Sequence, residues 1–237
     1  MALEATTRRF AQVVWVPGNH ELWATRAGEP RGEERYRALV ELCRGFGVLT
    51  PEDPFPVWPG DRGLRIAPLF VGYDYSFRPS EVPLEGALRW AAEAGLRCAD
   101  EDHLHPDPWP SREAWCAARC RASEQRLATA SRDAELVIVN HFPLREDQVR
   151  LFRIPRFSIW CGTRATQDWH RRFRARVVVS GHLHVRATDW VDDVRFEEVS
   201  LGYPRQWRRE TGLAGYLREI LPGPRRWPHR AGPLFHR

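Results

Sequence analysis

Val177-Val178-Val179-Ser180-Gly181-His182-Leu183-His184 is the stretch that decides the fold. Three valines end at a Ser-Gly pair, and two histidines follow with one leucine between them. A β-branched run of this kind reads as a strand buried on both faces. Glycine lets the chain turn sharply where the strand ends. Open α/β sheets place their ligand sites beyond the carboxyl ends of the strands. The imidazoles of His182 and His184 therefore stand where a site belongs, and can serve one metal ion or two neighbouring ions.

Two earlier stretches repeat the pattern. Glu135 to Val139 (ELVIV) reads as a buried strand and runs into Asn140-His141-Phe142-Pro143. Gln12 to Val16 reads as a short apolar strand, stopped by Pro17 and followed by Gly18-Asn19-His20-Glu21. Helical spacing of apolar residues predicts a helix over Glu33 to Phe46, and Ser111 is placed to cap another beyond it. Strands alternating with helices bring strand ends to one edge of a sheet, so His20, His141, His182 and His184 can converge from far apart in sequence. Leu64 to Gly72 reads as a further strand. Ala187 to Val191 and Val194 to Ser200 flank Asp192-Asp193 as a hairpin. Asp100 to Pro110, acidic and proline-rich, reads as a surface loop with His103 and His105 in it. His170 reads as a surface residue of a short helix, and residues 208–237 as a loosely packed Arg/Pro-rich tail.

Composition narrows the class. At 237 residues, 43% hydrophobic and 28% charged, the chain is long enough for a substantial core and ordinary for a globular protein. No stretch approaches the roughly 18 apolar residues of a membrane helix. The first ten residues lack an apolar signal region, so the cytoplasm is the expected compartment. All 36 basic residues are arginine and the net charge is +5. The arginines are dispersed among acids, which argues against nucleic acid as a partner. The five cysteines form no CxxC pair and read as reduced packing residues. The oligomeric state is left open.

Gly18-Asn19-His20-Glu21, Asn140-His141-Phe142-Pro143 and Gly181-His182-Leu183-His184 together resemble the later motifs of the calcineurin-like metallophosphoesterases, over roughly residues 11–207. The nearest likeness is to bacterial members that carry the segment Val16 to Trp23. The resemblance implies an α/β/β/α sandwich over residues 1–207, incomplete at its N-terminal edge, and a dinuclear site of manganese, iron or zinc. It implies that Asn19, His141 and His182 bind one metal and His184 the other. His20 would contact the phosphate and help protonate the leaving group. A water activated by the metals would attack phosphorus, hydrolysing a phosphomonoester or phosphodiester.

The sequence departs from that family at its start. The family's Asp-x-His and Gly-Asp strand exits, the second of which supplies the aspartate that bridges the metals, are absent ahead of Asn19; Asp53, Asp61 and Asp74 all come after it. Two doubly charged ions ~4 Å apart repel by about 16 kcal/mol at an effective dielectric near 20, and no bridging carboxylate is present to offset this. The expectation is one ion or none, in a chain that begins downstream of the family's first two motifs. A phosphoesterase that is inactive as written, or a non-catalytic remnant acting as a metal-binding or interaction module, follows from the same departure.

Overall fold

The computed structural model describes residues 2–208, 210, 212–224 and 233–235. Its frame is a mixed sheet whose parallel centre is β2 (Asp61–Pro68), β3 (Glu135–Val139) and β4 (Ala175–Ser180). The valine-rich strand predicted from sequence is β4, and β6 (Val194–Glu198) runs parallel beside it. β5 (Ala187–Val191) closes the hairpin with β6, antiparallel as predicted. Asp192 and Asp193 at its tip take φ of 49° and 63°, the doubly left-handed turn that matches the twist of a two-residue hairpin. Short antiparallel edges, β1 (Val57–Trp58) and β7 (Leu234–Phe235), complete the order β1-β2-β3-β4-β6-β5-β7.

Alternation sorts the strand residues between two faces. On one, Ala67, Leu136, Ile138, Val178 and Phe196 pack against Cys116, Cys120 and Leu127 of α6 (Arg112–Ala130). The Ser111 hydroxyl accepts the Ala114 amide at 3.2 Å, capping α6 as the sequence indicated. On the other face, Leu64, Val137, Val177 and Val179 meet Ile220 and Leu221. The expected tail thus has described residues that lie against the sheet. Arg195 donates to the carbonyls of Pro222 and Pro224 at 3.0 and 3.1 Å, and Arg218 donates to Glu197 at 3.0 Å. Both guanidiniums lie near Glu197, which is fully buried between them.

Gln12 to Val16 does not join this sheet. It is extended, but its one ladder contact is a parallel bridge from Val14 to Leu49, because Val48 to Thr50 is the only segment beside it among the described residues. Its role is to deliver the next residues to the sheet's carboxyl edge. There α2 (Asn19–Leu22) and α3 (Gly32–Gly45) sink Leu22, Tyr36 and Val40 into a cluster with Phe70, Phe142 and Trp160. That cluster fixes α2 against the ends of β2 and β3. No helix among the described residues is long and apolar enough to cross a membrane.

Candidate metal and phosphate site

The two adjacent parallel strands β3 and β4 end side by side, and their exits are tied together. The Gly181 amide donates to the His141 carbonyl at 2.9 Å. Asn140, buried before His141, accepts the Val71 amide and donates to the carbonyls of Val71 and Phe142. Its amide side chain therefore staples the exit of β2 to that of β3 and is unavailable as a ligand.

Beyond β4 the backbone is strained. His182 and His184 have φ of 75° and 55°, a conformation that costs of order 1–3 kcal/mol for a non-glycine residue and clusters at functional sites. It is held by the end of β6 and the residues after it. Glu198 accepts the Leu183 amide at 3.2 Å, the Ser200 hydroxyl accepts the His184 amide at 3.2 Å, and Ser200 donates to Glu198. Burial pushes the Glu198 carboxyl up to about 7. Neither residue stood out in the sequence, where both look like part of an ordinary hairpin strand.

Three donor atoms converge across these exits. His141 Nε2 lies 3.1 Å from Asn19 Oδ1 and 3.2 Å from His182 Nδ1. One proton cannot give each of these two contacts a hydrogen bond of its own. If His141 Nε2 carries the proton, one N–H must serve both contacts. If His182 Nδ1 carries it, the amide oxygen of Asn19 faces a lone pair. Burial pushes the His141 imidazole down to about 3 and His182 well below its ordinary value, each lowered further by the neighbouring histidines. Both are therefore neutral at physiological pH and present lone pairs. A cation among them would satisfy all three donors, so the residues fit a divalent ion with mixed nitrogen and oxygen ligands. Among the described residues no three His, Cys, Asp or Glu side chains form such a group; this donor set is two imidazoles and one amide.

The other two predicted residues stand at the rim. His184 packs edge-on against Tyr203, ring centroids 4.5 Å apart, and burial lowers its pKa. His20 is exposed and stacks on Trp23 at 4.0 Å. All five line one cleft of about 650 Å³, with Arg97 at its mouth and Leu151, Ile154, Phe157 and Leu183 forming an apolar wall.

Two expectations need correction. Asp100, read as part of a surface loop, is fully buried. It accepts from Asn19 Nδ2 at 2.8 Å and Trp23 Nε1 at 2.6 Å. It opens a one-turn helix, α5 (Asp100–His103), and nothing in the run Asp100-Glu101-Asp102 distinguishes it from its exposed neighbour Asp102. His170, read as a surface residue, is buried under Phe196 and the hairpin tip, with Nε2 2.8 Å from Asp192.

Comparison with known proteins gives the family and two likenesses. A family model described as calcineurin-like phosphoesterase matches residues 2–186. The acyl-carrier-protein phosphodiesterase PptH of Mycobacterium tuberculosis (strain ATCC 25618 / H37Rv) is 47% identical over 232 residues, covering 96% of this chain and 71% of that protein. The crystal structure of the phosphopantetheinyl hydrolase PptH from the same species superimposes with a TM-score of 0.88 at 46% identity. That match covers 96% of this chain and 82% of the other.

Proposed function

The chain belongs to the calcineurin-like phosphoesterase family, and on that premise we propose that it hydrolyses a phosphodiester, with the phosphopantetheinyl arm of a carrier protein as its substrate class. The observation that carries the reading is the convergence of Asn19 Oδ1, His141 Nε2 and His182 Nδ1 at 3.1 and 3.2 Å. These three side chains would hold one divalent ion, manganese, iron or zinc. Such an ion binds phosphoryl oxygen and lowers the pKa of water enough to make it a nucleophile near neutral pH.

The chain's own residues supply the rest. His20, held over Trp23, presents its imidazole to the cleft, where it can give a proton to the departing oxygen. Arg97, exposed and paired with Asp102, offers a guanidinium to a phosphate oxygen at the mouth. The wall of Leu151, Ile154 and Phe157 suits the extended arm of a phosphopantetheinyl group better than a compact phosphomonoester. The relative's activity on an acyl carrier protein supports the same class.

A second reading, a metal-binding module without turnover, is favoured by one observation. Glu21 is the only carboxylate lining the cleft among the described residues, and it accepts the Gly18 amide at 3.0 Å instead of facing the donor set. One assay separates the two. The chain is incubated with manganese and phosphopantetheinylated acyl carrier protein, and released arm is measured by mass. Release that His182→Ala abolishes supports the enzyme; manganese binding without release supports the module.

A further inference from the structure

We infer that Asp100 is the positioning residue that couples the metal-binding half of the site to its proton-donating half, an inference that rests on reading Asn19 as a metal ligand. One carboxylate oxygen, Oδ1, accepts both the Asn19 amide at 2.8 Å and the Trp23 indole at 2.6 Å. The first bond fixes which way the Asn19 amide points. With Nδ2 held by Asp100, Oδ1 must face His141 and His182. The second fixes the indole on which His20 stacks at 4.0 Å. A single buried atom thus fixes both the Asn19 amide and the indole that backs His20.

The surroundings fit this role. Asp100 is wholly buried, and its Oδ2 has no hydrogen-bond partner. Among the described residues no guanidinium or imidazole reaches its carboxylate. Arg112 is close, but donates to the Asp100 carbonyl at 2.7 Å and to Glu101. An uncompensated buried carboxylate is costly. A cation held by Asn19 Oδ1 would lie one amide away, where the negative charge both finds compensation and raises the basicity of the ligand, as outer-shell carboxylates do behind metal-bound histidines. The helix that carries Asp100 is itself fixed. Glu101 accepts Tyr75, Arg112 and Trp160 at 2.7 to 2.9 Å, so α5 holds its carboxylate on a rigid support.

The test uses the full chain and reads manganese binding by the loss of the free-ion electron paramagnetic resonance signal, which needs no turnover. Asp100→Ala is expected to raise the manganese dissociation constant about 10- to 100-fold, the usual loss for an outer-shell partner. Asp100→Asn keeps an amide oxygen to accept Asn19 Nδ2 and is expected to recover the part of that affinity that orientation supplies, leaving it between Asp100→Ala and wild type. Trp23→Phe leaves the Asn19 bond intact and is expected to stay within about twofold of wild type. The Trp23 indole proton, identified by its loss in Trp23→Phe, should resonate downfield in wild type and move upfield in both Asp100 variants. Manganese affinity within twofold of wild type in folded Asp100→Ala overturns the inference. Should that variant not fold, an unmoved indole resonance in Asp100→Asn does so. A wild-type chain that binds no manganese removes the reading of Asn19 itself, a different failure.

Discussion

The buried half of the site and its rim are built on different principles. Asn19, His141 and His182 are locked by backbone ties between strand exits, by strained turns and by a buried carboxylate. The ring of His20 instead rests on Trp23 beside open solvent, and the ring of His184, though its backbone shares the strained turn, packs against Tyr203. The first arrangement holds its atoms in one geometry, as a ligand set that tolerates only ~0.5 Å of error requires. The second allows a ring to adjust to whatever enters the cleft. Metal retention and substrate handling are therefore separable in this molecule.

The largest effect expected from that contrast comes from removing one residue of each half. His182→Ala should weaken manganese binding by more than about 100-fold, because one of three donors is lost and the others have no replacement. His20→Ala should leave manganese affinity unchanged and lower phosphodiester turnover about 100-fold, the lower range for a general acid. Calorimetric titration alongside turnover measures both. Equal losses of affinity in the two variants would show that rim and interior form one unit.

The two halves also differ in how far the sequence exposes them. The histidines and Asn19 each follow an apolar run, a local signal that survives without tertiary context. The same is true of the Ser111 cap, the periodicity of α3 and the Asp192-Asp193 turn. Asp100, Glu198 and Ser200 have no such mark. Each is decided by what packs over it: α2 on Asp100, and the Gly181–His184 turn on Glu198 and Ser200. His170 is misread for the same reason, since the covering turn lies 22 residues away. Gln12 to Val16 has the composition of a strand, but a strand needs neighbours, and among the described residues only Leu49 bridges to it. Composition specifies a residue's character; the partner specifies its burial.

A smaller effect is expected where the interior is tightest. A Cβ on Gly18 would lie 2.6 Å from Glu21 Oε2 and 3.0 Å from the His141 ring. Glu21 can swing away, but only by giving up its bond to the Gly18 amide, while His141 is tied to β4. Gly18→Ala should therefore cost about 1–3 kcal/mol of stability from the lost cap and crowding. It should also lower manganese affinity, while Gly28→Ala, a left-handed position with open space around it, leaves manganese affinity unchanged. Denaturant midpoints and manganese titration of the two variants decide it; a Gly18→Ala chain with wild-type affinity would mean that the interior tolerates more play than its contacts imply.

The smallest effect concerns the clamp that holds the strained turn. Glu198 sits at about 7 against an ordinary 4.5, raised by burial, so the folded chain holds its proton more tightly than the unfolded chain. Its contribution to stability is complete below about 4.5 and is lost as pH rises through about 7, since there the native state must either bury a charge or release the clamp. Glu198→Gln keeps an oxygen to accept the Leu183 amide and carries no charge at any pH. In metal-free protein, the stability of wild type relative to this variant should fall by on the order of 1–2 kcal/mol between pH 4.5 and 8, with allowance for water in the adjoining cleft. Urea denaturation at several pH values measures the difference directly. A difference constant with pH would place the Glu198 proton elsewhere and leave the left-handed His182 and His184 held by Ser200 and the strand ends alone. A difference that falls as expected assigns part of the site's rigidity to a neutral carboxyl, and makes the turn that carries His182 and His184 looser in alkaline solution while His20, backed by Trp23 and outside that clamp, is unaffected.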